Sequence, residues 1–313
     1  MERVARTRAD RPGSATGGAA LIRAAALLGL RRVVIDTIAG PVVVRTGRET
    51  GGPATILLHG AAGSWTTWTP LLAESDLEER PLRDVIAFDL PGWGESPLPD
   101  RADPDVGLLS TAVAEAARAL GYESWNVLGH SLGGFVALDL AVAEPTATLS
   151  VGLVSGTGAG EIDAITRPIR GGLRLPWFSG MLVAMRVLRL LGPAGTGLVR
   201  LLHRVGALTP LASPLFVDPR SVDPTVIEAL AVEVRPKSFV LAARAAARYD
   251  QQRWRSIGCR VRSVRGERDV FVGEHDSDTF AALIPDFHET LLHGAGHFAA
   301  IERPGAVLAE LVV

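Results

Sequence analysis

The sequence predicts an α/β chain: a mostly parallel sheet of about eight strands covered by helices, with a helical cap inserted late in the sheet. Three observations carry that expectation. Short β-branched or apolar runs recur along the 313 residues, several of them nearly continuous, as strands buried on both faces require. Helix-like segments alternate with these runs, which is the rhythm of βαβ units. One stretch, residues 157–250, breaks the alternation and offers only helical pieces punctuated by Pro and Gly.

Residues 33–38 and 41–45 are β-branched runs around Ala39-Gly40 and read as a hairpin. The buried-strand pattern then recurs at 54–59, 84–89, 125–129, 149–154, 259–264 and 289–293. Residues 106–120 form an Ala-rich helix closed by Gly121, and 132–144 a helix apolar on most faces that stops before Pro145. In the insertion, 177–191, 197–205 and 237–249 are the helical pieces, and a terminal helix starts near Pro304. The first twenty residues read as a loose tail. The apolar run 19–30 reads as an amphipathic helix packed on the body, too short to span a bilayer. The expected division is therefore 1–31 tail and helix, 32–156 with 251–313 the α/β core, and 157–250 the cap.

Composition narrows the function classes. Hydrophobic residues make up 47% and charged residues 21%, the balance of a globular protein. A formal net charge of −2 removes any general electrostatic reason to expect nucleic acid or an acidic membrane as partner. Cys259 is the only cysteine, so no internal disulfide forms, a zinc site of several thiolates is excluded, and a reducing, cytoplasmic setting fits. His293 and His297 have a spacing that ligates metals on helices, but Gly294 and Gly296 argue against a helix there. Gly156, Gly158 and Gly160 do not complete a dinucleotide fingerprint. The expectation is an enzyme without metal or cofactor, acting on a small molecule, with no membrane span.

The chemistry gathers in three places. Gly129-His-Ser-Leu-Gly133 has the form G-x-S-x-G, weak alone, yet it follows a strand pattern and opens a helix pattern, the setting it needs. A strand turning sharply into a helix puts Ser131 in a strained conformation, and the flanking glycines give the backbone room. The new helix N-terminus then presents amides to a developing anion. A serine oxygen is a poor nucleophile at neutral pH, so it needs a base and the base an orienting acid. His297, in the glycine-rich Leu292-His-Gly-Ala-Gly-His297, is the candidate base, and Asp269, in Arg265-Gly-Glu-Arg-Asp269, the candidate acid. Glu267, Glu274, Asp276 and Asp278 are nearby alternatives for the acid.

Gly129-His-Ser-Leu-Gly-Gly134 resembles the nucleophile elbow of the α/β-hydrolase superfamily. His59-Gly-Ala-Ala-Gly63 is similar to that family's oxyanion loop, and Asp89-Leu-Pro-Gly-Trp-Gly-Glu-Ser96 to the loop after its fourth strand. Gly266-x-x-Asp269 and Gly296-His297 match its acid and base positions, so the motifs fall in order from about Val33 to Val313, the cap excepted. The resemblance implies a serine hydrolase with a Ser131–His297–Asp269 triad and an oxyanion hole from the backbone N–H groups of Ala61 and Leu132. It also implies a second place for the acid, after the sixth strand, where Glu161 and Asp163 lie. Ser131 stands where dehalogenases and epoxide hydrolases of the family carry aspartate, which points to the single-cap esterase, lactonase and carbon–carbon bond hydrolase branch.

The expected reaction is acyl transfer from a small to medium, mainly apolar ester or lactone. Alternatives on the same triad are a carbon–carbon bond hydrolase, a lyase or a cofactor-free haloperoxidase; a binding protein without turnover is the remaining reading. His130, Trp93 and Ala62 are candidate pocket residues. His59 is expected to support the oxyanion loop, and the insertion's Trp177, Phe178, Met181, Met185 and Leu188 to form one apolar face.

Overall fold

A computed structural model describes residues 7–8 (main chain only), 18–100 and 104–312. Most of the loose tail expected at the N-terminus lies outside the described residues. The strands are β1 (Thr7–Arg8), β2 (Leu30–Thr37), β3 (Gly40–Gly47), β4 (Ala54–Leu58), β5 (Val85–Asp89), β6 (Trp125–His130), β7 (Thr148–Val154), β8 (Arg260–Gly266) and β9 (Phe287–Leu292). They form one sheet in the order β1-β9-β8-β7-β6-β4-β5-β3-β2. Only the β2–β3 hairpin and the β3–β5 pair are antiparallel. The edge pair β1–β9 adds a two-residue strand to the eight foreseen.

Burial on both faces explains the continuous apolar runs. On β4, Ile56 and Leu58 enter one core layer and Leu57 the other; β5 divides Ile86 and Phe88 from Val85 and Ala87 in the same way. One layer is closed by α2 (Val106–Ala119) and α3 (Leu132–Ala143), the other by α1 (Thr69–Leu77), α12 (Ala299–Glu302) and α13 (Pro304–Leu311). The Asp105 side chain accepts from the Leu108 N–H at 2.7 Å and so starts α2.

Between β7 and β8 run seven helices: α4 (Ala159–Thr166), α5 (Pro168–Arg174), α6 (Pro176–Leu190), α7 (Pro193–Arg204), α8 (Leu208–Ala212), α9 (Pro224–Glu233) and α10 (Pro236–Ala247). Five of them open on a proline, whose missing N–H costs nothing in a first turn and whose ring stops the preceding segment. That punctuation breaks a long apolar stretch into short rods that fold back on one another. α11 (Glu274–Leu283) then fills the step from β8 to β9.

One expected element changes. Residues 19–30 do not form the amphipathic helix: a single 3₁₀ turn spans Ala25–Leu28, Gly29 takes φ +66°, and Leu30 already begins β2. The reason lies in the backbone donors. Leu21 N–H goes to Thr225 Oγ1 and Ile22 N–H to Thr69 Oγ1, both at 2.9 Å, so the segment is held extended between core and insertion. Among the described residues no helix is long and apolar enough to cross a membrane.

Candidate active site

The chain goes from β4 to its neighbour β5, then crosses back to place β6 on the other side of β4. At such a switch point the loops after neighbouring strands diverge and leave a crevice at the carboxyl edge. Ser131 follows β6 there, and Ala61 lies in the loop after β4.

Ser131 has φ +50° and ψ −118°, a strained position for a residue with a Cβ, and it leads directly into α3. The surrounding glycines are needed for contact rather than flexibility. A Cβ on Gly129 would lie 2.4 Å from the Gly133 carbonyl oxygen, and one on Gly133 would lie 2.2 Å from the Leu58 carbonyl oxygen. Gly60 is also crowded, by side-chain atoms, its Cβ position being 2.7 Å from His130 Nδ1. The elbow and the loop after β4 therefore touch backbone to backbone. Leu132, the first residue of α3, lines the same cavity as Ala61 and Ser131.

His297 sits five residues beyond the end of β9 and is fixed from several sides. Its backbone N–H donates to the Leu215 carbonyl at 2.9 Å, tying it to the insertion. Its Nδ1 lies 3.0 and 3.1 Å from the two carboxylate oxygens of Asp269. The Phe271 ring packs edge-on against the imidazole, centroids 4.8 Å apart. Asp269 is fully buried and also accepts the N–H groups of Phe271 and Val272, at 2.8 and 3.1 Å. Burial pushes its pKa up, but His297 and these donors more than offset that and hold the carboxyl below its usual range.

The Ser131 hydroxyl lies 3.5 Å from the Thr157 hydroxyl, and among the described residues no hydrogen bond joins it to His297. Both nonetheless line one cavity with about 80 Å³ of water-accessible room. Phe178 and Met181 of α6, Phe239 and Ala243 of α10, and Phe271 and Phe298 are part of its apolar wall. Its polar lining is Ser131, Thr157, Glu161 and His297, and no Lys or Arg contributes.

Of the three residues expected beside substrate, only Ala62 lines this cavity. His130 is turned below the floor: its Nε2 lies 3.0 Å from the His297 carbonyl, and burial, then the neighbouring His297, lower its pKa to about 3. Being neutral, it can donate from Nε2 to that carbonyl and so braces the loop. Trp93 faces a different recess, with Leu98, Ser238 and Leu241, because the loop after β5 is tied down by Asp89. Asp89 accepts the Trp65 N–H at 3.0 Å and the Glu95 N–H at 3.1 Å. His59 has a supporting place: Leu90 N–H donates to its Nε2 at 3.0 Å, which leaves Nδ1–H to donate to the Gly60 carbonyl at 2.7 Å. Of the apolar residues grouped on the insertion, Phe178 and Met181 point inward, while Trp177 is 55% exposed.

Thr157 and the two Phe residues against His297, Phe271 and Phe298, were missed by sequence reading, and Glu161 entered it only as a second place for the acid. Position beyond a strand's carboxyl end is the signal that finds Thr157 and Glu161. Glu161 opens α4 and is buried; its Oε2 accepts the Gly158 N–H at 3.0 Å. Burial, with the charge of neighbouring Asp276, pushes its pKa well above the usual carboxylate range. Asp276 accepts N–H groups from Gly160 and Gly273 at 2.7 and 3.0 Å, and burial still lifts it to about 6. No group of three or more His, Cys, Asp or Glu among the described residues could hold a metal ion.

Residues 55–311 match the alpha/beta hydrolase family. The dihydrolipoyllysine-residue acetyltransferase component of the acetoin cleaving system from Cupriavidus necator is 41% identical over 122 residues, 38% of this chain. That match spans 30% of the relative's own length. The esterase RhEst1 of Rhodococcus sp. ECU1013 superposes with a TM-score of 0.65 at 21% identity, covering 90% of this chain and 96% of its own. A thermophilic esterase from Thermogutta terrifontis gives 0.65 at 22% identity, covering 89% and 96%. A family match that runs from β4 to the last helix, on a sheet of this order, makes the chain a member of the alpha/beta hydrolase family.

Proposed function

We propose that the chain is a serine hydrolase that cleaves a small, mainly apolar carboxylic ester or lactone, and that residues 157–250 form the cap over its site. The observation that carries this reading is the cavity itself: Ser131, His297, Ala61 and Leu132 share one apolar space that no Lys or Arg enters. A carbon–carbon bond hydrolase working on an acidic substrate would need a cation beside the serine, and the wall has none.

In this reading His297 takes the Ser131 proton as the oxygen attacks the acyl carbon. Asp269, bonded to Nδ1, fixes the tautomer that leaves Nε2 as base and stabilises the imidazolium that follows. The amides of Ala61 and Leu132 bind the oxyanion; losing one such donor costs about 100- to 1,000-fold in rate. His297 then returns the proton to the leaving group and activates water to release the acid. Ser131 turns from Thr157 toward His297 as substrate enters, since catalytic hydrogen bonds often tighten only in the complex. The reaction calls for no cofactor, and the lone cysteine suits a cytoplasmic site of action.

The test is turnover of p-nitrophenyl esters from acetate to decanoate by the native chain and by Ser131→Ala. Native activity lost in the variant supports the reading, with the optimum at short acyl chains that the narrow cavity sets. Labelling of Ser131 by a fluorophosphonate without ester turnover would keep the nucleophile and reject the substrate class. Absence of both would reject the hydrolase reading.

A further inference from the structure

We propose that the outer face of the helical insertion, chiefly α5 to α7, docks on an anionic lipid bilayer surface. Among the described residues, eleven of the seventeen exposed large apolar side chains lie within residues 164–217. Ile169, Leu173 and Leu190 are each more than 80% exposed, and Trp177, Val183 and Val205 more than half. Globular surfaces rarely gather apolar groups this densely without a partner.

Charge decides which partner. The same segment holds seven arginines, at 167, 170, 174, 186, 189, 200 and 204, all exposed, and no Asp or Glu, in a chain whose formal net charge is −2. Asp163, just before the segment, pairs with Arg167 and Arg174. No described carboxylate lies within ion-pairing distance of the other five. Arginine and exposed Leu, Val and Trp side by side on short helices are the composition of an interfacial surface, where the apolar groups enter the acyl boundary and the cations meet phosphate. A second copy of the chain is a poor occupant, because an isologous contact would set this cationic face against itself. The overall charge gave no reason to expect an acidic membrane; the local distribution does.

The placement has a functional side. Phe178 and Met181 of α6 line the Ser131 cavity, while Trp177, Val183 and Val187 of the same helix point outward. Docking would set the back of the cavity wall against lipid, where an apolar substrate concentrates.

Trp177 also supplies the readout, since Trp65, Trp68, Trp93, Trp125 and Trp254 are all at most 4% exposed. The full chain is mixed with vesicles of phosphatidylglycerol and phosphatidylcholine, or of phosphatidylcholine alone. The expected result is a blue shift of emission and co-sedimentation with the anionic vesicles only, reversed by high salt. Trp177→Phe should remove the blue shift and keep sedimentation. Arg186→Gln with Arg189→Gln should lower partitioning about 25-fold, at about fivefold for each charge near the surface. Both variants should keep the native far-UV circular dichroism. Failure to sediment with anionic vesicles at low salt would overturn the proposal, as would equal binding to phosphatidylcholine alone. So would a concentration-dependent dimer in sedimentation velocity that Leu173→Ser with Leu190→Ser abolishes, since a second copy would then cover the face.

Discussion

Two buried acids stand at the rim of the same sheet and behave oppositely. Asp269 follows β8, Glu161 follows β7, and each is almost wholly shielded from water. Asp269 faces an imidazole and two backbone donors and is held below the usual range. Glu161 has backbone donors too but faces another acid, Asp276, in place of an imidazole, and is pushed well above it. Burial acts on both in the same direction, so the sign is set by what each carboxyl faces. A carboxylate kept ionised can orient and stabilise a cationic base; a carboxylic acid kept neutral serves as uncharged wall. Glu161 is therefore suited to lining an apolar cavity, and Asp269 to orienting a base.

The largest expected effect tests that division directly. Asp269→Asn should lower kcat roughly 10⁴-fold, because the amide favours the wrong imidazole tautomer. Glu161→Gln, at the other acid position the family uses, should stay within about tenfold of native. Steady-state kinetics on one ester decides it, and the reverse ranking would move the triad acid to Glu161.

The second test concerns stability against pH, where the two sites should slope in opposite directions. Asp276, raised to about 6, stabilises the fold most where it is protonated. Its contribution is complete below the unfolded carboxyl pKa and is lost as pH rises through about 6. Asp269, held low, contributes above the unfolded value and loses that as pH falls through its depressed pKa. Denaturation between pH 5 and 7.5 should show native stability falling as pH rises and Glu161→Gln making that fall smaller, since the amide removes an acid whose pKa the fold raises. An unchanged slope would show that the pair does not titrate there.

The smallest effect lies in the wall itself. Met181, half-buried at the cavity, adds flexible volume. Met181→Ala should lengthen the preferred acyl chain by one or two carbons, with about 1 kcal/mol of discrimination per methylene. An unmoved optimum in the p-nitrophenyl series would place the acyl chain elsewhere.

These contrasts also mark what could be read from sequence. The strands at 54–58, 85–89 and 125–130 were legible because burial on both faces leaves a short unbroken apolar run. The elbow was legible because sterics confine it to one local pattern. Residues 19–30 misled, since their apolar spacing suits a helix while Thr69 and Thr225, distant in sequence, hold the backbone extended. Trp93 misled for a related reason: its loop sits at the catalytic edge, but Asp89 pins it so that the indole faces elsewhere. The opposite tuning of Asp269 and Glu161 was out of reach, because it depends on which groups meet across the folded rim.

The contacts at Gly60, Gly129 and Gly133 have a consequence for how such a protein can change. Each lacks the room for even one methyl group, and at Gly129 and Gly133 the obstructing atoms are backbone, which cannot step aside. A library of random substitutions would show three intolerant positions beside Ser131, and a permissive ring of wall residues on α6 and α10. New substrates would then be reached by variation far from Ser131 in sequence, with the elbow carried along unaltered as the fixed frame of the search.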